Sequence, residues 1–391
     1  MGAHGHPEGP TLPMNRIAWA VLVPLALATL VGLVLLWPSS SPPPAQAPAQ
    51  EFQGVVLALQ AEECTGEQGG PPSSCGTVTA RISTPDGDRE IEAPLSSGPS
   101  APDLSVGDDV IVAVSESPDG PIYGVVDHQR GSELVLVLVA LSLALVAFGR
   151  WRGLSALVGL AITFGVLFVF IVPSVIAGSS PVLVALVGAS LITLSVLYLT
   201  HGISLPTTVA VLGTMSALAL TAALSELTVG LLHLTGTTDD ISTAVATTYG
   251  IDTRGLLVAS IIIGSVGVLD DVTVTQAATV TEISRANPAY GVGQLFGAAA
   301  RVGRSHIASV VNTVVLAYAG SSLPLLVLVV ANNDSVVKVA TTQLIAQEVA
   351  RSAVATLGLI AAVPLTTGLA ALATRSAKAD VEDAEPMSEP A

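Results

Sequence analysis

Two adjacent carboxylates, Asp270 and Asp271, stand in the otherwise apolar stretch Gly264-Ser265-Val266-Gly267-Val268-Leu269-Asp270-Asp271-Val272-Thr273-Val274-Thr275-Gln276. An ionised Asp at the middle of a bilayer costs roughly 2.5–3.5 kcal/mol on insertion scales, so such acids face a bundle interior or a water-filled cavity. There a carboxylate can take up and release a proton or a cation. Read as a helix, the stretch puts Ser260, Gly264, Gly267, Asp271, Thr275 and Thr279 on one face, in steps of four, three, four, four and four. The small residues admit another backbone, and the polar ones line whatever lies between. Asp270 is turned about 100° away, so the two acids meet different neighbours. The competing reading ends the helix near Val274 and leaves both acids at the cytoplasmic membrane surface.

A second polar run follows: Arg301-Val302-Gly303-Arg304-Ser305-His306-Ile307-Ala308-Ser309-Val310-Val311-Asn312-Thr313. Arg301, Ser305, Ser309 and Asn312 share a helical face, with Asn312 well inside the apolar part. Arg301 or Arg304 is expected to partner Asp270 or Asp271, because an unpaired buried charge is costly. Positive-inside anchoring explains the arginines equally well, but not Asn312. The expected pathway for a substrate or ion is thus Asp271, Asp270, Thr275, Asn312, Ser309, Arg301, Arg304 and His306. Asp271 is expected to lead, facing the helix that begins near Ile307. Glu226, a lone acid with His233 two turns later, is a secondary candidate or an interfacial residue. His201 sits at a helix end.

Other chemistries find little support. No spacing matches a zinc, calcium or P-loop site, so no metal and no cofactor is expected. The GxGD motif of intramembrane aspartyl proteases puts Gly directly before Asp, whereas Leu269 precedes Asp270, and no second Asp lies inside another apolar run. No nucleophile–base arrangement is evident, so enzymatic activity is not expected.

The elements that must hold these residues are apolar helices. Hydrophobic residues make up 51% of the 391-residue chain and charged residues 11%, against roughly 25% charged in soluble domains. Spans are expected at Ile17–Trp37, Leu134–Gly149, Leu154–Ala177, Pro181–Thr200, Leu205–Leu234, Leu256–Thr281, Ile307–Ala331 and Ala353–Ala373. Short links such as Gly178-Ser179-Ser180 make neighbouring helices antiparallel. Leu205–Leu234 is long enough for a tilted helix, or for a helix followed by an interfacial turn. The first span is longer than a signal-peptide core and reads as an uncleaved anchor over 16–37, after a short cytoplasmic segment at 1–15.

Between the first and second spans the character changes. Residues 38–50 form a Pro/Ala linker, and 51–130 read as a small β domain. Its strands are expected at Gly54–Leu59, Thr77–Ser83, Asp109–Val114 and Ile122–Val126, with turns at Pro85-Asp86-Gly87 and Pro118-Asp119-Gly120. Four or five short strands make a small barrel or sandwich, with an OB-like barrel as one candidate. Residues 131–375 then form a seven-helix bundle, and 376–391 an acidic, disordered tail.

The basic residues orient this arrangement. With both termini inside, Arg16, Arg150, Arg152, Arg285, Arg301, Arg304, Arg375 and Lys378 face the cytoplasm, and the short outer loops keep Arg254, Lys338 and Arg351. The β domain is then extracytoplasmic, where Cys64 and Cys75 are expected as a disulfide. The net charge of −16 argues against nucleic acid as a partner. The expected partners are the lipid bilayer, a small solute or ion, and an envelope protein.

These motifs carry a resemblance. The Gly264–Gln276 stretch, together with Gly303-Arg304-Ser305-His306-Ile307 running into Asn312-Thr313-Val314-Val315-Leu316-Ala317-Tyr318-Ala319-Gly320, resembles the YibE/F-like family of bacterial membrane proteins. The resemblance covers roughly Leu134 to Ala373, and it implies a multi-pass protein of the bacterial cell membrane regarded as a permease without an established substrate. The expected function is a permease or secondary transporter with the Asp pair as its ion or proton site. The alternatives are a non-transporting scaffold or sensor acting through the β domain, and, behind it, an intramembrane enzyme.

Overall fold

The computed structural model describes residues 16–38, 50–63, 74–95, 101–117, 120–238, 240–331, 338 and 341–384. The chain divides into two compact units, one holding the sheet and the helix after it, the other the first helix and everything from Trp151 onward.

In the first of these units, strands β1 (Gln50–Glu63), β2 (Ser74–Thr84), β3 (Gly87–Pro94), β4 (Asp109–Ser117) and β5 (Gly120–His128) form one antiparallel sheet in the order β3-β2-β1-β4-β5. The outer strands β3 and β5 approach each other, so the sheet curls. Alternation sends Val56, Val78, Ala80, Ile82, Ile91, Ala93, Val110 and Val112 to a shared apolar interior. The hairpin joining β2 to β3 turns on Pro85-Asp86 as expected, with Thr84 paired to Gly87, whose φ of +116° suits glycine. β3 is the strand the sequence hid: Asp88, Arg89, Glu90 and Glu92 are exposed, and only Ile91 and Ala93 point inward. Cys75 lies in β2 opposite Glu62, while Cys64 falls outside the described residues. Helix α2 (Gly131–Gly149) follows the sheet.

The second unit contains α1 (Arg16–Leu35), α3 (Trp151–Ile176), α4 (Pro181–His201), α5 (Leu205–Leu231), α6 (Asp240–Tyr249), α7 (Thr253–Ala286), α8 (Val292–Ser321), α9 (Leu323–Ala331) and α10 (Gln343–Ala384). Seven described helices (α1, α2, α3, α4, α5, α7 and α10) are long and apolar enough to cross a membrane. The span expected at Ile307–Ala331 is resolved differently. Helix α8 begins at Val292, and a break at Ser322 separates it from α9. Its polar N-terminal half keeps α8 off the tally of apolar spans, and with it the count remains about eight. Beyond Leu231 the chain turns at Leu232 and His233, the latter at φ +52°.

Side-chain meetings fix the helix directions. Gly255 lies beside Pro181 and Asp270 beside Thr193, so α7 and α4 run parallel. Thr214 meets Thr273 and Glu226 meets Arg254, so α5 is antiparallel to α7. Gly213 packs on Thr366 and Gly358 on Thr221, so α10 opposes α5. Tyr318 reaches Gly264, and Gln276 bonds the Ala299 carbonyl, so α8 opposes α7. Gly159 meets Val196 and Gly32 meets Val187, which sets α3 and α1 against α4. This is the alternation that successive crossings require. Helix α7 is the hub, packed by α4, α5, α8 and α10.

One boundary needs correcting. Helix α10 continues past Arg375 to Ala384, where a disordered tail was expected. Ser376-Ala377-Lys378-Ala379-Asp380-Val381-Glu382-Asp383-Ala384 contains alanines, Lys and Glu, all good helix formers, and adds turns to a helix already nucleated.

Candidate functional site

Helix α7 does not stop near Val274. It runs unbroken over 34 residues to Ala286, with Asp270 and Asp271 close to its midpoint. At about 1.5 Å per residue it is roughly 50 Å long, so the acids are several turns from either end. The helix end expected near Val274 is thereby corrected.

The two acids go separate ways. Asp270 is half-buried and turned toward α4 and α5. Thr193 of α4 donates to it, its Oγ1 lying 3.2 Å from Oδ1 and 3.5 Å from Oδ2. The Thr214 hydroxyl of α5 also bears on this carboxyl. Thr214 Oγ1 is 2.7 Å from Thr273 Oγ1, and Thr273 donates to the Asp270 carbonyl at 3.1 Å. Thr193, Thr214 and Thr273 are all fully buried. Hydroxyl groups of α4 and α5 thus reach the carboxylate of an α7 residue, while Thr273 of α7 holds its carbonyl.

Asp271 is exposed on the glycine-bearing face, together with Gly264, Gly267 and Thr275. That face borders a cleft of about 480 Å³ between α3, α4 and α7, bounded among others by Thr163, Val196, Thr200, His201, Asp270 and Asp271. Both acids therefore reach the same cleft, Asp270 from its wall and Asp271 from its rim. His201, at the C-terminal end of α4, feels the charges of both Asp271 and Arg152. The cleft is thus lined by two acids and a histidine.

The expected meeting of Asp271 with α8 is corrected. α8 meets α7 mainly across the adjoining surface, where Gly264, Ser265, Val268 and Leu269 face Val314, Ala317 and Tyr318 around a second hollow of about 170 Å³, and of the Asp271 face only Gly264 takes part. Further along, Gln276 reaches Ala299. Ser309 and Asn312 are exposed and border neither hollow. Helical periodicity tells which residues share a face, but not which neighbour that face meets. The expected ion pairs are corrected too: Arg301 and Arg304 are exposed, and Arg304 donates to its own helix at the Ala300 carbonyl. Among the described residues no ion pair joins either arginine to Asp270 or Asp271. Thr275 accepts from Thr279 through its carbonyl, and His306 is half-buried with an Nε2 that has no partner among the described residues. Glu226 lies 3.9 Å from Arg254, both exposed, a pair of small energetic weight.

Sequence reasoning missed Thr193, Thr214 and Gln276. Gln276 is buried, and its Nε2 donates to Thr367 Oγ1 of α10 and to the Ala299 carbonyl of α8. A glutamine deep in an apolar run is a usable sign. A threonine is not, since it usually satisfies itself on its own helix.

The architecture is a bundle of apolar helices around a polar-centred hub, with a curled five-stranded sheet as a separate unit. The chain belongs to the YibE/F-like family, whose model matches residues 137–376 and so covers α7 and α8 with both motifs. Family and helices together fit a membrane protein. No curated protein and no solved structure matches the chain.

Proposed function

We propose that this chain is a permease or secondary transporter of the bacterial cell membrane, with Asp270 and Asp271 as the ion or proton site of its pathway. The observation that carries the reading is the hydroxyl-ringed Asp270 at the centre of the hub helix, opening on the same cleft as Asp271. A carboxylate held at mid-helix with no cationic partner among the described residues is costly, and exchange of a proton or cation gives it a use. The alternation of helix directions and the distribution of Arg and Lys support both termini in the cytoplasm and the β domain outside. The strand order and the approach of β3 to β5 support an OB-like barrel for that domain. Enzymatic activity forms no part of this reading.

The test is solute or ion flux into liposomes containing the purified protein, compared with its Asp270→Asn and Asp271→Asn variants. Gradient-driven flux that the variants lose supports the reading, and equal flux in all three removes it.

A non-transporting scaffold or sensor has one observation in its favour. A hollow of about 970 Å³ lies on the β domain, bordered by Phe52, Tyr123, Arg89 and Glu116 among others. Aromatic and charged groups side by side suit an envelope-protein partner. Normal flux after Phe52→Ala and Tyr123→Ala, together with loss of a cross-linked envelope protein, would assign the hollow to partner binding rather than to transport.

A further inference from the structure

Two exposed stripes on neighbouring helices are out of keeping with a lipid surface. On α7 the stripe is Gly264, Gly267, Asp271, Thr275, Ala278 and Glu282. On α8 it is Arg301, Arg304, Ser305, Ser309, Asn312 and Thr313. Gly264 borders both the cleft on the α4 side and the hollow on the α8 side, so the α7 stripe runs between them, next to α8.

Depth makes the exposure costly. Asp271 lies between Gly264 and Gln276 along α7, while Ser309 and Asn312 lie between Gly303 and Tyr318 along α8. Tyr318 meets Gly264 and Gly303 meets Gln276. On these antiparallel helices the three polar residues therefore share one level, near the middle of both. Arginines near a span's end can reach the headgroups, but Asp271, Ser309 and Asn312 are short and central. A carboxylate or an amide turned to hydrocarbon there carries a heavy penalty. Within one chain neither the Asp271 carboxyl nor the Asn312 amide makes a hydrogen bond among the described residues.

The stripes complement each other. The α7 stripe offers the carboxylates Asp271 and Glu282 and no cation. The α8 stripe offers donors: two guanidinium groups, the Ser309 hydroxyl and the Asn312 amide. Small residues on α7 let a facing backbone come close, and a Cβ built at Gly267 would meet nothing within 4 Å. In one chain the stripes point outward side by side and do not meet. A two-fold axis along the membrane normal keeps every residue at its depth, and it sets the α7 stripe of each copy against the α8 stripe of the other.

We infer that this chain forms a two-fold dimer through α7 and α8, in which Ser309 and Asn312 of one copy donate to Asp271 of the other. The second copy thereby covers the open side of the cleft rim and contributes two residues to the Asp271 site. The inference goes beyond the transport reading and does not depend on it, since it needs only that α7 and α8 lie in a bilayer.

The test is disulfide cross-linking in native membranes between two differently tagged full-length copies, both with Cys64 and Cys75 replaced by Ser. One copy carries Thr275→Cys and the other Ser305→Cys, exposed positions outside the proposed hydrogen bonds. A product carrying both tags is expected, and none when Leu365→Cys, at an exposed position of α10, takes the place of Ser305→Cys. A second readout is energy transfer between labelled copies in liposomes as lipid is added. Asn312→Leu is expected to raise the dissociation constant of the dimer about tenfold, because its bond is lost in both symmetric contacts. An unchanged constant overturns the pairing. Monomers at every lipid ratio overturn the dimer, as does linkage to Leu365→Cys as efficient as to Ser305→Cys. Linkage of Thr275→Cys to Ser142→Cys of α2 in the same chain, in place of a two-tag product, seats α2 on the stripe and also overturns it. Flux by a monomeric protein removes the dimer and leaves the transport reading standing, whereas a linked dimer without flux does the reverse.

Discussion

Gln276 of α7 donates through Nε2 to Thr367 Oγ1 of α10 at 2.8 Å, and the same nitrogen reaches the Ala299 carbonyl of α8 at 2.9 Å. One side chain therefore ties three helices together on the side of the hub away from Asp270. Gly303 makes room for it, since a Cβ there would come 2.7 Å from Gln276 Oε1 and 2.6 Å from Val363 Cγ1. Interhelical hydrogen bonds in membranes contribute about 0.6 kcal/mol on average and up to about 1.7. Gln276→Leu is expected to cost about 1–2 kcal/mol and to lower Tm in detergent, with the hydroxyl of Thr367 still satisfied by the Val363 carbonyl. An unchanged Tm would show that the bond contributes nothing net.

The contact between α5 and α10 depends on the absence of side chains. A Cβ at Gly358 would collide with Thr221 Oγ1, and one at Gly213 with Thr366 Oγ1. Threonine is stiff at χ1 and cannot swing clear without strain. Gly358→Ala is expected to destabilise by about 1–3 kcal/mol through overpacking. Thr221→Ala in the same chain restores much of the loss, because the two sites share one space. Thermal unfolding of the single and double variants measures the coupling, and simple additivity would mean that the helices have moved apart.

The spans were legible because runs of some twenty apolar residues serve no purpose in a soluble chain. Boundaries were less so. Nothing in the polar stretch from Val292 to Ser305 forbids a helix, so α8 starts well before its apolar part. β3 was hidden because a strand at the rim of a small sheet needs only two inward residues, Ile91 and Ala93. Within the site the carboxylates stood out and their partners did not. Thr193 and Thr214 look like the many threonines here that bond a carbonyl one turn back, such as Thr281 on Ala277 and Thr374 on Ala370. Which face meets which helix is decided by packing of the whole bundle, and no local period encodes it.

The orientation is open to direct chemistry. In a background with Cys64 and Cys75 replaced by Ser, an impermeant thiol reagent added to intact cells is expected to label Ser115→Cys in β4 and to miss Ser376→Cys in the last helix. Ser115 is exposed, so access is not limited by the fold. Labelling at position 376 from outside would invert the proposed arrangement.

The cysteines offer a second handle on the same compartment. β1 ends at Glu63, paired with Ser74, so the backbone leads directly from this pairing to Cys64 on one side and to Cys75 on the other. An exported β domain is expected to carry the Cys64–Cys75 disulfide, found as linked peptides by mass spectrometry without reduction. Closing a loop of about ten residues adds roughly 2–3 kcal/mol in the chain-entropy picture. The Cys64→Ser variant should therefore unfold earlier. Two alkylatable thiols in protein from the cell envelope would count against both the bond and the exported location.

The two acids should separate kinetically. Asp270 engages hydroxyls of two other helices, so its charge is felt wherever α4, α5 and α7 rearrange. Asp271 stands exposed on the cleft rim near His201, and its reach is through the field at the mouth. Electrostatic attraction of that kind acts on encounter and is screened by salt. Asp271→Asn is therefore expected to raise the concentration at half-maximal flux by up to about tenfold, an effect that fades at high ionic strength, while leaving the maximal rate nearly unchanged. Asp270→Asn should lower the maximal rate itself by about a hundredfold or more, because the bound ion and the helix junction are lost together. Initial rates over a range of solute and salt concentrations in liposomes distinguish the two patterns. If Asp271→Asn abolished the maximal rate while Asp270→Asn left it intact, the working carboxylate would be the one at the rim, and the hydroxyl cluster would be a packing device.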